Sequence, residues 1–136
     1  MIVTDTNLLA YLFLGGPGTI LARAVFIRDS EWAAPFLWRS EFRSVVAQYL
    51  RKREVSLADA LSVQRKAESL LLGREYLVRS ERVLRLVSAS SCSAYDCEFV
   101  ALAEQLRVPL VTSDRQVLAA FPAVARSPGS FARDEL

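Results

Sequence analysis

Two short apolar runs restrict this chain more than anything else in it: Ile2-Val3-Thr4 near the start and Pro109-Leu110-Val111-Thr112 near the end. Each reads as a buried strand, and each stops at an acid, the first at Asp5 and the second at Ser113-Asp114. Apolar residues at helical spacing predict helices over 6–14, 19–28, 36–52, 56–72, 80–87 and 93–106, and a short one over 115–121. Gly15-Gly16-Pro17-Gly18 separates the first two helices, and Gly73 suits a helix C-terminus. A weaker strand is expected at Glu31-Trp32-Ala33-Ala34, ended by Pro35, with an extended connector over 74–78 and a last edge strand at 123–125. Short strands alternating with helices make an α/β fold. The expectation is one domain over residues 1–136, with a mostly parallel sheet of about four to five short strands flanked by helices.

Composition narrows the chemistry. The 136 residues include no histidine, which removes Ser-His-Asp and Cys-His catalysis and His-ligated zinc. Cys92 and Cys97 do not form a CxxC, so they read as free, buried thiols of a reducing cytoplasm. A net charge of +2 makes no case for nucleic acid by itself. The cations are Arg except for Lys52 and Lys66; Arg suits phosphate, but a GC-rich genome gives the same bias. No apolar run reaches the ~18 residues of a membrane span. Residues 2–14 carry Asp5 and Asn7 and no basic leader, so a cytoplasmic protein without membrane contact is expected. Arg133-Asp134-Glu135-Leu136 has the form of a retrieval tail, which without a leader is coincidence.

Four acids carry the functional signal. Asp5 and Asp114 end strands, and in open parallel sheets ligands gather at the carboxyl ends of strands. Glu41 stands on the shoulder of the stripe Trp38, Phe42, Val45, Val46 and Tyr49, without a cation at i+3 or i+4. Asp96 precedes Val100 and Ala103 on its own helical row, also without one. Each has a structural explanation: Asp5 and Asp114 as helix caps, Glu41 as a snorkelling border residue, Asp96 in the capping box Ser93-Ala94-Tyr95-Asp96. Brought together, unpaired carboxylates repel and call for a cation. Mg²⁺ or Mn²⁺ takes oxygen ligands and needs neither His nor Cys, and such a site points to phosphate-ester chemistry.

Asp5-Thr6-Asn7, Ser40-Glu41, Ser93-Ala94-Tyr95-Asp96 and Val111-Thr112-Ser113-Asp114, in this order and spacing, resemble the PIN-domain ribonucleases, and most closely the VapC toxins of toxin–antitoxin pairs. The resemblance implies that Asp5, Glu41, Asp96 and Asp114 gather Mg²⁺ or Mn²⁺ for cleavage of single-stranded RNA. It also implies a VapB-like antitoxin and a homodimer within a larger complex. Asp5 would be the central ligand, oriented by Thr6 or Asn7, while Thr112 and Ser113 would support Asp114. Glu98 reads equally as a solvated surface residue and as a neighbour of the metal. Arg115, beside Asp114, is the candidate for RNA phosphate; Arg51-Lys52-Arg53 reads rather as favourable charge at a helix C-terminus. The short apolar helices around Gly15-Gly16-Pro17-Gly18 offer the antitoxin a landing place. Two other readings compete: a Mg-dependent phosphohydrolase or phosphotransfer domain using Asp5, and a catalytically silent RNA- or protein-binding module of the same fold.

Overall fold

Ile2, Val3 and Thr4 are each fully buried, and the strand they form stands at the centre of the sheet. The computed structural model describes residues 1–133, so the last three residues of the tail that ends Asp134-Glu135-Leu136 lie outside the described residues. In chain order the elements are β1 (Ile2–Thr4), α1 (Thr6–Leu14), α2 (Thr19–Arg28), β2 (Trp32–Pro35) and α3 (Leu37–Arg51). Then come α4 (Leu57–Leu70), β3 (Glu75–Tyr76), α5 (Ser80–Ser88) and α6 (Ala94–Leu106). The chain continues through β4 (Leu110–Val111), α7 (Arg115–Ala120), β5 (Ala125–Arg126) and α8 (Pro128–Arg133). The fold is thus the expected α/β type, with every strand pair parallel and the order β3-β2-β1-β4-β5.

That order decides where a ligand can bind. From β1 the chain moves to β2 and β3 on one side, then returns to place β4 on the other side of β1. A crevice therefore opens between β1 and β4 at their carboxyl ends. Register is fixed by Val3 opposite Leu110 and Thr4 opposite Val111. Both edge strands, β3 and β5, are only two residues long.

Helix α6 packs over β1, β2 and β4 and against α5. Its burial covers more of its circumference than one stripe: Cys97, Phe99, Val100, Ala101, Leu102 and Ala103 are all buried. Tyr95, which helical periodicity puts on one stripe with Phe99, Leu102, Ala103 and Leu106, is 61% exposed, because it lies in the first turn, ahead of the packed segment. A salt-bridged clamp pins the start of α3. Arg39 Nε and Nη2 donate to the two oxygens of Glu75 at 2.6 and 2.7 Å, Trp38 Nε1 donates to Glu75 Oε2 at 2.7 Å, and Arg39 Nη1 reaches Glu68. The Arg39 guanidinium holds the Glu75 carboxyl below its ordinary range.

The last strand starts two residues later than expected, since Val124 N and Ala125 N both donate to Phe121 O and close a turn. Helix α8 is not anticipated by the pattern at all. Ser127 Oγ caps it through Ser130 N, and it is held by packing on α2, with Arg28 donating to Phe131 O and lying over the Phe131 ring. Among the described residues no single helix is long and apolar enough to cross a membrane; α1 and α2 pass on length and composition only as a pair bent by 104°.

The bend between α1 and α2 rests on a close approach. A Cβ at Gly18 would lie 2.4 Å from the Tyr11 ring, whose backbone oxygen accepts from Thr19 Oγ1 at 2.8 Å. Gly18→Ala is accordingly expected to destabilise the protein by about 1–3 kcal/mol. Thermal unfolding of that variant checks it, and an unchanged melting temperature would mean that the ring moves aside freely.

Candidate functional site

A cavity of about 310 Å³ opens at the carboxyl ends of β1 and β4. It is lined by Asp5, Thr6, Asn7, Glu41, Ser44, Val45, Asp96, Phe99, Leu110, Thr112, Asp114 and Val117. All four acids singled out from the sequence border this one space, which among the described residues no Lys or Arg lines.

Local structure delivers each acid. Asp5 leaves the buried strand β1 and caps α1: its Oδ1 accepts from Leu8 N at 2.8 Å. Its Oδ2 accepts from Thr112 Oγ1 at 2.6 Å. Asp114 caps α7 in the same way, Oδ1 accepting from Val117 N at 3.0 Å. Asp96 is the third residue of α6, and only half of the expected capping box forms. Ser93 Oγ accepts from Asp96 N at 3.0 Å, while among the described residues no hydrogen bond reaches the Asp96 carboxylate. Glu41 reaches in from α3 and accepts from Thr6 Oγ1 at 2.7 Å.

The supporting bonds run differently from the sequence expectation. Thr6 holds Glu41 rather than Asp5. Thr112 holds the Asp5 carboxylate and also accepts from Asp114 N at 3.0 Å, so one hydroxyl serves both strand-end acids. Asn7 lines the cavity without a hydrogen bond among the described residues, and Ser113 is exposed and outside the lining. Arg115 is exposed at the first position of α7. Glu98 is half-buried, not solvated. It borders a separate hollow with Val78, Ser80, Val83 and Leu84, and burial, then the Glu41 charge, raises its pKa.

Asp5 is the electrostatic centre. Burial pushes its pKa from 3.8 up to about 6; Thr112 and Leu8 N oppose the shift, and the charges of Asp114 and Glu41 add to it. A carboxylate in this setting is stabilised by a proton or by a cation. The donor set, all carboxylate and hydroxyl or amide oxygen, has the hardness that Mg²⁺ or Mn²⁺ requires. Among the described residues no three His, Cys, Asp or Glu side chains are arranged to hold an ion as they stand. The acids share the cavity without closing on one point. Cys92 and Cys97, free and buried, lie outside the lining, and burial raises both thiols.

The family model described as PIN domain matches residues 2–125. Three solved structures are similar over nearly their whole length. PAE2754 from Pyrobaculum aerophilum is 20% identical, with a TM-score of 0.75 over 96% of this chain and 92% of that one. A chain of a toxin–antitoxin complex from Klebsiella pneumoniae is 19% identical, with a TM-score of 0.71 over 94% and 98%. FitAcB from Neisseria gonorrhoeae is 17% identical, with a TM-score of 0.75 over 95% and 99%. At such identities these likenesses concern the fold. No curated protein sequence matches.

The raised pKa of Asp5 in the folded state gives a signed pH effect. The metal-free fold holds the Asp5 proton more tightly than the unfolded chain does, so this stabilisation is full below pH 3.8 and lost as pH rises through about 6. The loss is at most about 3 kcal/mol. Asp5→Asn is therefore expected to gain stability relative to wild type between pH 4 and 7 in chelator, as read by denaturant titration. A difference that stays flat across that range would show that Asp5 titrates as an ordinary carboxyl.

Proposed function

Because the chain belongs to the PIN domain family, whose members are generally nucleases, we propose that it is a Mg²⁺- or Mn²⁺-dependent endoribonuclease specific for single strands. The observation that carries this reading is one cavity bordered by four carboxylates and, among the described residues, no cation, with Asp5 half-buried in reach of the charges of Asp114 and Glu41. Asp5, Glu41, Asp96 and Asp114 would hold the metal. When bound, it supplies a polarised phosphoryl oxygen and an activated water for hydrolysis of the phosphodiester.

The chain's own residues do the rest. Thr112 fixes the Asp5 carboxylate and the Asp114 backbone together, and Thr6 fixes Glu41, so that three of the four acids are held in orientation by the chain itself. Asp96, whose carboxylate takes no hydrogen bond among the described residues, would be free to turn toward the metal or the substrate. Arg115, next to Asp114 at the start of α7, offers a guanidinium to an RNA phosphate. A phosphotransfer reading with Asp5 as nucleophile is disfavoured, since both oxygens of Asp5 are engaged by Thr112 and Leu8 N and no cation lines the cavity.

Purified protein is expected to cleave single-stranded RNA with Mg²⁺ or Mn²⁺ and to stop in chelator. Asp5→Asn should abolish cleavage, whereas Thr112→Val should slow it roughly ten- to a hundredfold, as loss of an outer partner of a metal ligand does. Wild-type rates in Asp5→Asn would defeat the mechanism.

The proposal extends to biology by analogy with the similar chain from a toxin–antitoxin complex. This chain, a single nuclease domain over 1–136, would act in the cytoplasm as a VapC-type toxin, as a homodimer neutralised by a VapB-like antitoxin. Of the landing place expected around Gly15-Gly16-Pro17-Gly18, Leu8, Leu9, Ala22 and Val25 are buried in the core, while Ile20, Leu21 and Ile27 are exposed. That outer face of α2 is the part left for a partner helix. Co-expression with the neighbouring reading frame and pull-down should recover a small inhibitory protein; unchanged RNase activity in its presence would exclude it as the antitoxin.

A further inference from the structure

An acidic cavity repels a polyanion, so part of the affinity for a nucleic acid has to come from contacts that do not depend on charge. The rim offers one. Tyr95 directly precedes Asp96 and lies one helical turn before Phe99, and both of those residues line the cavity. Side chains at i and i+4 share a helix face, so Tyr95 extends the row of Phe99 outward past the mouth. It is 61% exposed, and among the described residues it makes no hydrogen bond and no ring contact.

Its mounting is rigid. Ser93 caps α6 through Asp96 N at 3.0 Å, and Cys92 and Cys97 on either side are buried. Gln116 Nε2 donates to Ser91 O and Ser91 Oγ at 2.9 and 3.0 Å, which ties the loop before α6 to the helix that Asp114 caps and Arg115 begins. Tyr95 and Arg115 are thus each the chain neighbour of a lining acid, Asp96 and Asp114, on elements joined by this contact. We infer that Tyr95 is a stacking platform for an unpaired base of the substrate, placed so that the adjoining phosphate enters the cavity bordered by Asp5, Asp96 and Asp114.

This rests on the nuclease reading and adds a reason for strand selectivity. A base inside a duplex has both faces covered, whereas an unpaired base can lie on an aromatic ring whatever its identity. The platform would therefore favour single strands without reading sequence, leaving the acids to act on whichever phosphate follows.

The test uses full-length protein and a short single-stranded RNA carrying 2-aminopurine, with the Asp5→Asn background for binding and the wild-type background for cleavage. Binding should quench 2-aminopurine fluorescence at one position of the strand. Tyr95→Ala should remove the quench and raise KM roughly five- to a hundredfold at nearly constant kcat, and Tyr95→Phe should behave as wild type. An unchanged melting temperature in Tyr95→Ala confirms that the fold is intact. Equal KM and quench in Tyr95→Ala would overturn the inference while leaving the nuclease reading in place. So would equal losses in Tyr95→Ala and Tyr95→Phe, which would assign the role to the hydroxyl. Binding and quench without metal-dependent cleavage in the wild-type background would retain the platform and reject the nuclease. No binding of RNA by the protein would reject both.

Discussion

The Thr112 hydroxyl joins two parts of the chain 107 residues apart, donating to Asp5 Oδ2 while accepting from Asp114 N. This bond exists only because β1 and β4 lie side by side in parallel, with Thr4 opposite Val111. Side chains alternate across a strand, so a slip of one residue would turn Thr112 to the other face and leave Asp5 without its donor. Such a slip is opposed by the neighbours: Ile2, Val3, Leu110 and Val111 are all buried, and each would have to change sides. The hydrophobic register thereby becomes a device for placing charge. What the core fixes to within a residue, the hydroxyl fixes to within a hydrogen bond.

The capping and functional explanations of the acids turn out to be compatible. Asp5 and Asp114 each spend one carboxylate oxygen on a helix N-terminus, and Ser93 takes the cap of α6 so that Asp96 does not have to. Three helix N-termini consequently meet at the cavity, and their dipoles ease the accumulation of negative charge. At about 0.3–1 kcal/mol each for exposed groups, they offset only part of the strain shown by the shifted Asp5. The remainder is left for a cation or a proton.

Much of this was legible in the sequence because it depends on local signals. The two apolar strands, the acids that end them and the helix that carries Glu41 follow from composition and spacing over a few residues. The misses share a different cause. Helix α8 has only six residues, Gly129 among them, so the Ser127 cap and first-position Pro128 are weak signals and packing on α2 holds it. Periodicity placed Tyr95 on the buried stripe because it does not register where along a helix the packing begins. Glu98 is half-buried through contact with α5, and Thr6 turns to Glu41 through the approach of α3; both are tertiary facts. The Arg39–Glu75 clamp, spanning 36 residues, is equally invisible to any short window.

The two-residue edge strands bear on how the molecule coexists with its own copies. An open parallel sheet ends in unpaired backbone amides and carbonyls, which invite edge-to-edge growth. Here β3 and β5 expose too little backbone to template another strand, and each carries a charge, Glu75 on one side and Arg126 on the other. The sheet is closed to polymerisation without being closed into a barrel. What the short edges leave for contact is helix surface, where a contact has a defined size and can be undone.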